Sequence, residues 1–223
     1  MNFEYHLAHC LQEHSNATDA KAMKAYLKGK FEFYGIKTPK RRELLKEVLK
    51  SHVDEVQQQL DSVVYDLYSQ NYRELHMCGM ELYYKFKNKK YMLGDIAMIK
   101  YLITTHSWWD TVDYIAKWIL GGYLLKFPEE KRTVIDTFSS AHDMWLNRSA
   151  ILFQLGYKAK TDSEELFKQC KKHADSDEFF IKKAIGWALR EFGKTDPEAV
   201  LAFVNSTTLK PLSRKEAIRN IIK

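Results

Sequence analysis

Residues 178–200, EFFIKKAIGWALREFGKTDPEAV, contain the pattern from which the fold can be read. Apolar side chains recur there three and four positions apart, the spacing of one face of an α-helix. They are Ile181, Ile185, Ala188, Leu189 and Phe192. We therefore predict a helix over about 178–194, with its apolar face buried.

A weak repeat extends from this helix in both directions: RSAI at 148–151, KKAI at 182–185 and KEAI at 215–218. In each copy a basic residue is followed two positions later by Ala-Ile, and successive copies are 34 and 33 residues apart. That length suits two antiparallel helices, which must stack on neighbouring units to bury their apolar faces. The pattern of a tetratricopeptide unit is not visible. We predict an all-α fold, a right-handed α-solenoid of HEAT-like repeats with a concave basic surface.

The prolines agree with an all-helical chain. Each of the four stands where a helix would begin: Pro39, Pro128, Pro197 and Pro211. Proline suits the first helical position because its missing N–H would have had no intrahelical partner there. No run of alternating apolar residues between hairpin turns predicts a strand, and no Ser/Gly-rich linker marks a boundary. A single HEAT-like repeat domain over 1–223 is the simplest prediction.

Composition sets limits on the class of protein. The chain has 223 residues, is 45% hydrophobic and carries a formal charge of +6, so a folded core is expected and an anionic partner is compatible. No secretory signal begins the chain, and the best apolar run is interrupted by Lys117 and Lys126. We expect no membrane association and a cytoplasmic location.

The cysteines and histidines give no sign of a metal site or of a disulfide framework. Cys10, Cys78 and Cys170 are far apart and odd in number, without C-x-x-C spacing. The eight histidines are not clustered at ligand spacings. We expect buried free thiols, no metal and no cofactor.

Basic residues concentrate in the repeat helices and near both ends of the chain. A phosphate is favoured near a helix start by free backbone N–H groups, and a curved basic array could hold a duplex by its phosphates. The alternative is an ordinary set of solvated helix faces. The candidate DNA-binding residues are Lys37, Thr38, Lys40, Arg41, Arg42, Lys46, Lys182, Lys183, Arg190, Arg214 and Lys215.

Residues 104–117, THSWWDTVDYIAKW, place two indole rings and a carboxylate at a helix start. Because residues four apart share a helix side, Trp109 and Asp113 project together, whereas Trp108 projects with the core. We expect Asp110 to complete a capping box with Ser107 rather than to act in catalysis.

Two further side chains depart from the apolar pattern. Trp187 lies off the stripe of its helix, beside Lys183 and Arg190. Arg148 shares a helix side with apolar residues and needs a partner, for which Asp113 is a candidate. Each residue also has a structural interpretation, since solenoid helices bury indoles between repeats and an Arg–Asp pair can be a buried bridge.

Four segments, TTHSWWDTVDYIAKW, WLNRSAILFQLGYK, EFFIKKAIGWALREFGKTDPEAV and GIKTPKRRELLKEV, closely resemble the HEAT-like DNA glycosylases of the AlkD type. The resemblance runs from about residue 20 to the end. It implies removal of N3- and N7-alkylated purines from duplex DNA. We expect a monomer, which suits an extended clamp, in the cytoplasm and associated with the bacterial nucleoid. Carried onto matching positions, the resemblance implies that Trp109, Asp113 and Trp187 lie beside the sugar of the lesion and that Arg148 holds a neighbouring phosphate.

One position departs from the family pattern. Lys37 stands where the family has an uncharged Gln, which affects how that segment meets the strand opposite the lesion. Two other function classes remain open from the sequence: a noncatalytic HEAT-like scaffold for unusual DNA structures, which needs only the basic surface, and a protein-interaction solenoid, which needs an exposed apolar groove.

Overall fold

The computed structural model describes residues 2–221, and these are helical throughout with short connections and no β-strand. Two compact units divide the chain, Met1–Lys90 and Tyr91–Lys223. The all-α helical-repeat class is confirmed. The single-domain assignment over 1–223, the handedness and the concave basic surface stay predictions.

The first unit is built from helices that pair along the chain. Its helices are α1 (Phe3–Glu13), α2 (Ala17–Tyr26), α3 (Thr38–Lys50), α4 (Val53–Gln58), α5 (Leu60–Ser69) and α6 (Arg73–Lys87). The principal contacts are those of α5 with α6 and of α1 with α3. Apolar faces meet at these contacts, and Leu7, Leu44, Leu67 and Leu82 are all buried.

A buried carboxylate fixes the chain that leads into α3. Glu74 accepts backbone N–H bonds from Tyr34 at 3.1 Å, Gly35 at 2.9 Å and Ile36 at 3.1 Å. Gly35 has a φ of 89°, and a Cβ there would lie 2.1 Å from the carbonyl oxygen of Asn16. Only glycine meets both demands, so the entry to the basic helix α3 is rigidly specified.

The second unit continues with shorter helices and more turns. Its elements are α7 (Asp95–Thr104), α8 (Trp109–Tyr114), a π-helical segment (Ile115–Leu120), α9 (Gly121–Lys126), a 3₁₀ turn (Pro128–Glu130), α10 (Lys131–Ser139), α11 (Met144–Leu152), a 3₁₀ turn (Lys158–Lys160), α12 (Ser163–Lys172), α13 (Phe179–Phe192), α14 (Pro197–Ser206) and α15 (Pro211–Ile218).

The sequence repeat corresponds to structurally equivalent helices. Its three copies lie on α11, α13 and α15, with α11 packed on α13 and α13 packed extensively on α15. The alanines of the copies, Ala150, Ala184 and Ala217, are fully buried. The predicted apolar face of α13 is buried, and all four prolines begin α-helices or a 3₁₀ turn. Both predictions are confirmed.

The start of α8 differs from the prediction. Trp108 is the N-cap residue, with extended backbone and no side-chain capping bond. The Ser107 hydroxyl instead donates to the carbonyl of Ile103 at 2.6 Å, in the preceding helix. The predicted capping box of Ser107 and Asp110 is therefore wrong. Trp108 is half-buried, with its ring against Trp145 and Phe180.

None of the helices formed by residues 2–221 is both long enough and apolar enough to cross a membrane.

Candidate functional site

An open groove of about 280 Å³ lies on the second unit. Its lining comes from α8, α11 and α13, so three helices contribute to one surface. We call it the aromatic groove, and its lining residues are Trp109, Asp113, Arg148, Phe179, Phe180, Lys183, Trp187 and Arg190. All four residues predicted for catalysis are therefore brought together.

Asp113 and Arg148 form a bidentate ion pair in this groove. Arg148 donates from Nε to Oδ1 of Asp113 at 2.7 Å and from Nη2 to Oδ2 at 2.9 Å. The side chain of Arg148 is 5% exposed, whereas that of Asp113 is 17% exposed. Asp113, a candidate partner of Arg148 from the sequence, is thus its partner in the structure, and the carboxylate also lines the groove.

Two opposing influences act on the carboxyl group of Asp113. Burial raises its pKa above the ordinary value of an aspartate, while the hydrogen bonds and positive charge of Arg148 oppose that rise and the charge of Asp110 adds to it. Desolvation penalises an ionised carboxylate, and a paired guanidinium favours it. Ionisation of Asp113 therefore depends on Arg148.

The phosphate contact implied for Arg148 does not fit its surroundings. Besides the two bonds to Asp113, Nη1 donates to the carbonyl oxygen of Phe180. The guanidinium is thus held on all three nitrogens by the protein and is nearly inaccessible. These contacts fix the Arg148 guanidinium against the carboxylate of Asp113 and the start of α13.

Four aromatic side chains surround the pair. Trp109 and Trp187 are half-buried and line the groove, as their off-stripe positions predict. Phe179 is 57% exposed, and Phe180 packs on Trp108 and Trp145 at ring-centroid distances of 5.1 and 5.0 Å. Sequence reasoning missed both phenylalanines, although their position at the start of α13, one turn before Lys183, was a usable signal.

Two of the predicted DNA-binding cations lie in the groove. Lys183 donates to Oε1 of Glu216 at 2.9 Å, and Arg190 donates to Oε2 of the same carboxylate. Glu216 comes from α15 and was not predicted as a site residue. Its position in the KEAI copy, opposite the KKAI copy, gave no indication of an ion pair.

The remaining candidates of the second unit lie outside the groove lining. Lys182 is half-exposed and Lys215 is exposed. Arg214 donates to the carbonyl of Val204 at 2.5 Å and to Oδ1 of Asn205 at 3.0 Å, so its guanidinium closes the end of α14.

In the first unit, most of the predicted basic residues are exposed on α3 or beside it. Lys46 and Thr38 are exposed. Lys37 lies 3.2 Å from a carboxylate oxygen of Asp19, and Lys40 pairs with Glu43 at 2.7 Å. Surface pairs of this kind are weak, so the cations stay accessible to a phosphate.

Arg41 is an exception, and its assignment to a DNA-binding surface needs correction. Its side chain is 3% exposed and donates two bonds to Glu81, at 3.0 and 2.9 Å. Burial opposes ionisation of Glu81, but the hydrogen bonds from Arg41 and Arg42 hold its pKa below the usual value. Arg41 therefore joins α3 to α6, whereas Arg42 is 57% exposed.

Within residues 2–221, no three His, Cys, Asp or Glu side chains come together in a way that could hold a metal ion.

The fold and the groove define a class of helical-repeat proteins with a paired carboxylate among aromatic side chains. Comparison with known proteins identifies the family. The family model described as "DNA alkylation repair enzyme" matches residues 7–221. The chain therefore belongs to the DNA alkylation repair enzyme family, and its role lies in the repair of alkylated DNA.

A solved structure supports the same assignment. The chain is similar to a predicted DNA alkylation repair enzyme from Enterococcus faecalis, with 31% sequence identity and a TM-score of 0.86. The match covers 94% of this chain and 97% of the other. No curated protein matches the chain with significance.

Proposed function

We propose that the protein is a monofunctional DNA glycosylase that hydrolyses the N-glycosidic bond of N3- and N7-alkylated purines in duplex DNA. One observation carries the proposal: the carboxylate of Asp113, held by two bonds from Arg148, opens into a groove lined by Trp109 and Trp187. A damaged nucleoside placed there meets one anionic group and two electron-rich rings.

The charge of the lesion explains why one carboxylate suffices. Glycoside hydrolysis commonly needs an acid for the leaving group and a second carboxylate for the oxocarbenium-like sugar or for water. A purine alkylated at N3 or N7 is cationic and leaves as a neutral base, so the acid is dispensable. Asp113 stabilises the developing positive charge on the sugar and orients the attacking water.

The two indoles favour a cationic nucleotide over a neutral one. A cation on the face of a tryptophan gains about 0.5–2 kcal/mol, depending on desolvation. The groove is open rather than enclosed, which fits engagement through the sugar and backbone instead of a tight pocket for an extruded base. Lesions are then chosen by the lability of their glycosidic bond, and neutral uracil is not released.

The proposed substrate is double-stranded DNA, held through its phosphates by the accessible basic residues. Lys37, Lys40, Arg42 and Lys46 are exposed in the first unit, as is Lys215 in the second. Contacts of this type are sequence-independent and sensitive to salt. We expect a monomer that needs no cofactor and works in the cytoplasm at the bacterial nucleoid.

The test is release of 7-methylguanine and 3-methyladenine from methylated duplex by the wild type and by Asp113→Asn. Loss of one preorganised electrostatic group lowers the single-turnover rate by about 100-fold or more. Asp136→Asn is the control, since it makes the same change at a carboxylate outside the groove lining, paired with Lys168 at 2.7 Å. It is expected to keep the wild-type rate.

Three results would contradict the proposal. Equal release by wild type and Asp113→Asn would remove Asp113 from the chemistry. Binding of duplex without any release by the wild type would favour the noncatalytic scaffold. Efficient release of uracil would exclude selection by bond lability.

A further inference from the structure

Glu216 of α15 is a partly buried anion next to the aromatic groove. Its carboxylate is 12% exposed and receives Lys183 at Oε1 and Arg190 at Oε2. The hydrogen bond from Lys183, helped by that from Arg190, lowers the pKa of Glu216. The side chain is therefore anionic at neutral pH.

The sequence brings this carboxylate close to α13 by means of a glycine. A Cβ at Gly186 would lie 2.4 Å from Cβ of Glu216 and 3.0 Å from the backbone oxygen of Ser213. The Ser213 hydroxyl donates to the carbonyl of Lys182 at 3.1 Å, which fixes the register of the two helices. Close approach of α15 thus sets Glu216 against the groove cations.

The groove would otherwise carry an excess of positive charge. Asp113 and Arg148 cancel each other as a pair, which leaves Lys183 and Arg190 in the lining. Two cations attract the DNA backbone but repel a cationic purine and an oxocarbenium-like sugar. These two demands on the same surface conflict.

We propose that Glu216 is a positioning residue that sets the charge of the aromatic groove: it holds Lys183 and Arg190 in place and offsets part of their positive charge. This inference rests on the proposed function. With this offset, the groove repels a positively charged reacting nucleoside less. It also attracts the phosphate backbone of undamaged DNA less. Specificity for cationic lesions depends on Glu216 as well as on the indoles.

The substitution Glu216→Gln separates charge from shape, and it acts in opposite directions on binding and on chemistry. Undamaged duplex binds about threefold to tenfold more tightly at low salt, and the plot of log Kd against log salt steepens by about one phosphate contact. Single-turnover release of 7-methylguanine at saturating enzyme slows by about threefold to tenfold, because a transition-state cation meets uncancelled positive charge.

Three variants serve as comparisons. Glu216→Asp keeps the charge and should restore both measurements toward the wild type. Asp136→Asn is the charge-matched control, since Asp136 also faces a lysine and an arginine, Lys168 and Arg132, outside the groove. It should leave the release rate unchanged. Lys183→Gln should weaken duplex binding and speed release at saturating enzyme, because it removes one of the two groove cations that repel the positively charged reacting nucleoside.

Opposite shifts of binding and release in Glu216→Gln, absent in Asp136→Asn, support the inference. A parallel loss of duplex binding and of release would indicate a purely structural effect and overturns the inference. No change in either measurement overturns it as well. If Glu216→Gln does not fold, Lys183→Gln decides, because slower release by that variant contradicts charge offset. Absence of release by the wild type would overturn the proposed function, and the duplex-binding measurements would still show whether Glu216 limits the attraction for DNA.

Discussion

Arg148 of α11 donates hydrogen bonds to both carboxylate oxygens of Asp113, which lies on a different helix, α8. The parallel geometry fixes the carboxylate plane as well as its distance. Because the third nitrogen of the guanidinium binds the carbonyl of Phe180 at the start of α13, one side chain connects three helices of the groove. Position and ionisation of Asp113 are thereby linked.

We predict that Arg148→Lys impairs chemistry more than binding. Lysine keeps the charge but cannot reproduce the planar two-bond fork, so single-turnover release should fall about 10-fold to 100-fold, as expected for a misplaced catalytic group. In the proposed mechanism activity requires ionised Asp113 and is lost as pH falls through its pKa, which burial already raises. Fewer hydrogen bonds raise that pKa further, which moves the acid limb to higher pH.

The measurement is the pH profile of kcat/KM, which reports groups of the free enzyme, corrected for spontaneous depurination. A shifted acid limb with near-normal duplex affinity supports the positioning role. Weaker duplex binding with an unchanged pH profile would instead support the phosphate contact that the sequence resemblance implies for Arg148.

Replacement of the groove tryptophans should reduce selectivity for charged lesions. Trp109→Phe and Trp187→Phe each weaken the face that meets the cation, and a loss of about twofold to thirtyfold in release corresponds to one cation–π contact. Trp118→Phe is the control, since Trp118 is 44% exposed and does not line the groove. Binding of duplexes with a cationic lesion and with its uncharged deaza isostere should be compared. An equal loss of affinity for both would show that the indoles act through shape alone.

Three site residues of α8, α11 and α13 could be singled out from the sequence because each departs from the apolar periodicity of its own helix. Trp109 and Trp187 lie off the apolar stripe of their helices, and Arg148 lies on one, so each stands out within a few turns of sequence. Their grouping into one site was implied by the family resemblance, and the structure places them together in one groove.

The residues that sequence reasoning missed or misplaced depend on contacts across helices. Arg41 looks like its exposed neighbours Lys40 and Arg42, and only the packing of α3 on α6 shows that Glu81 buries it. Glu216 similarly became visible once α15 was placed against α13. Charge alone does not distinguish a solvated residue from a buried pair.

We predict that Arg41→Gln lowers stability rather than DNA binding. It leaves Glu81 buried without its main partner, and removal of one member of a buried ion pair costs about 3–5 kcal/mol. Denaturant unfolding at neutral pH measures this loss, with Lys46→Gln as the control at an exposed residue of the same helix, for which about 1 kcal/mol or less is expected. In refolded protein the salt dependence of duplex binding should be flatter for Lys46→Gln only. A flatter dependence for Arg41→Gln with unchanged stability would return Arg41 to the DNA-contacting set.

The substitution Gly186→Ala tests whether the close approach of α15 is needed at the groove. Its new methyl group would lie 2.4 Å from Cβ of Glu216, with the backbone oxygen of Ser213 at 3.0 Å, so α15 has to move. Overpacking of this kind costs about 1–3 kcal/mol, despite the better helix propensity of alanine. Gly94→Ala is the matched control, because nothing lies within 4 Å of a Cβ there. Thermal unfolding measures the difference, and if Gly186→Ala were as stable as the wild type, the helix contact that places Glu216 would be adjustable rather than fixed.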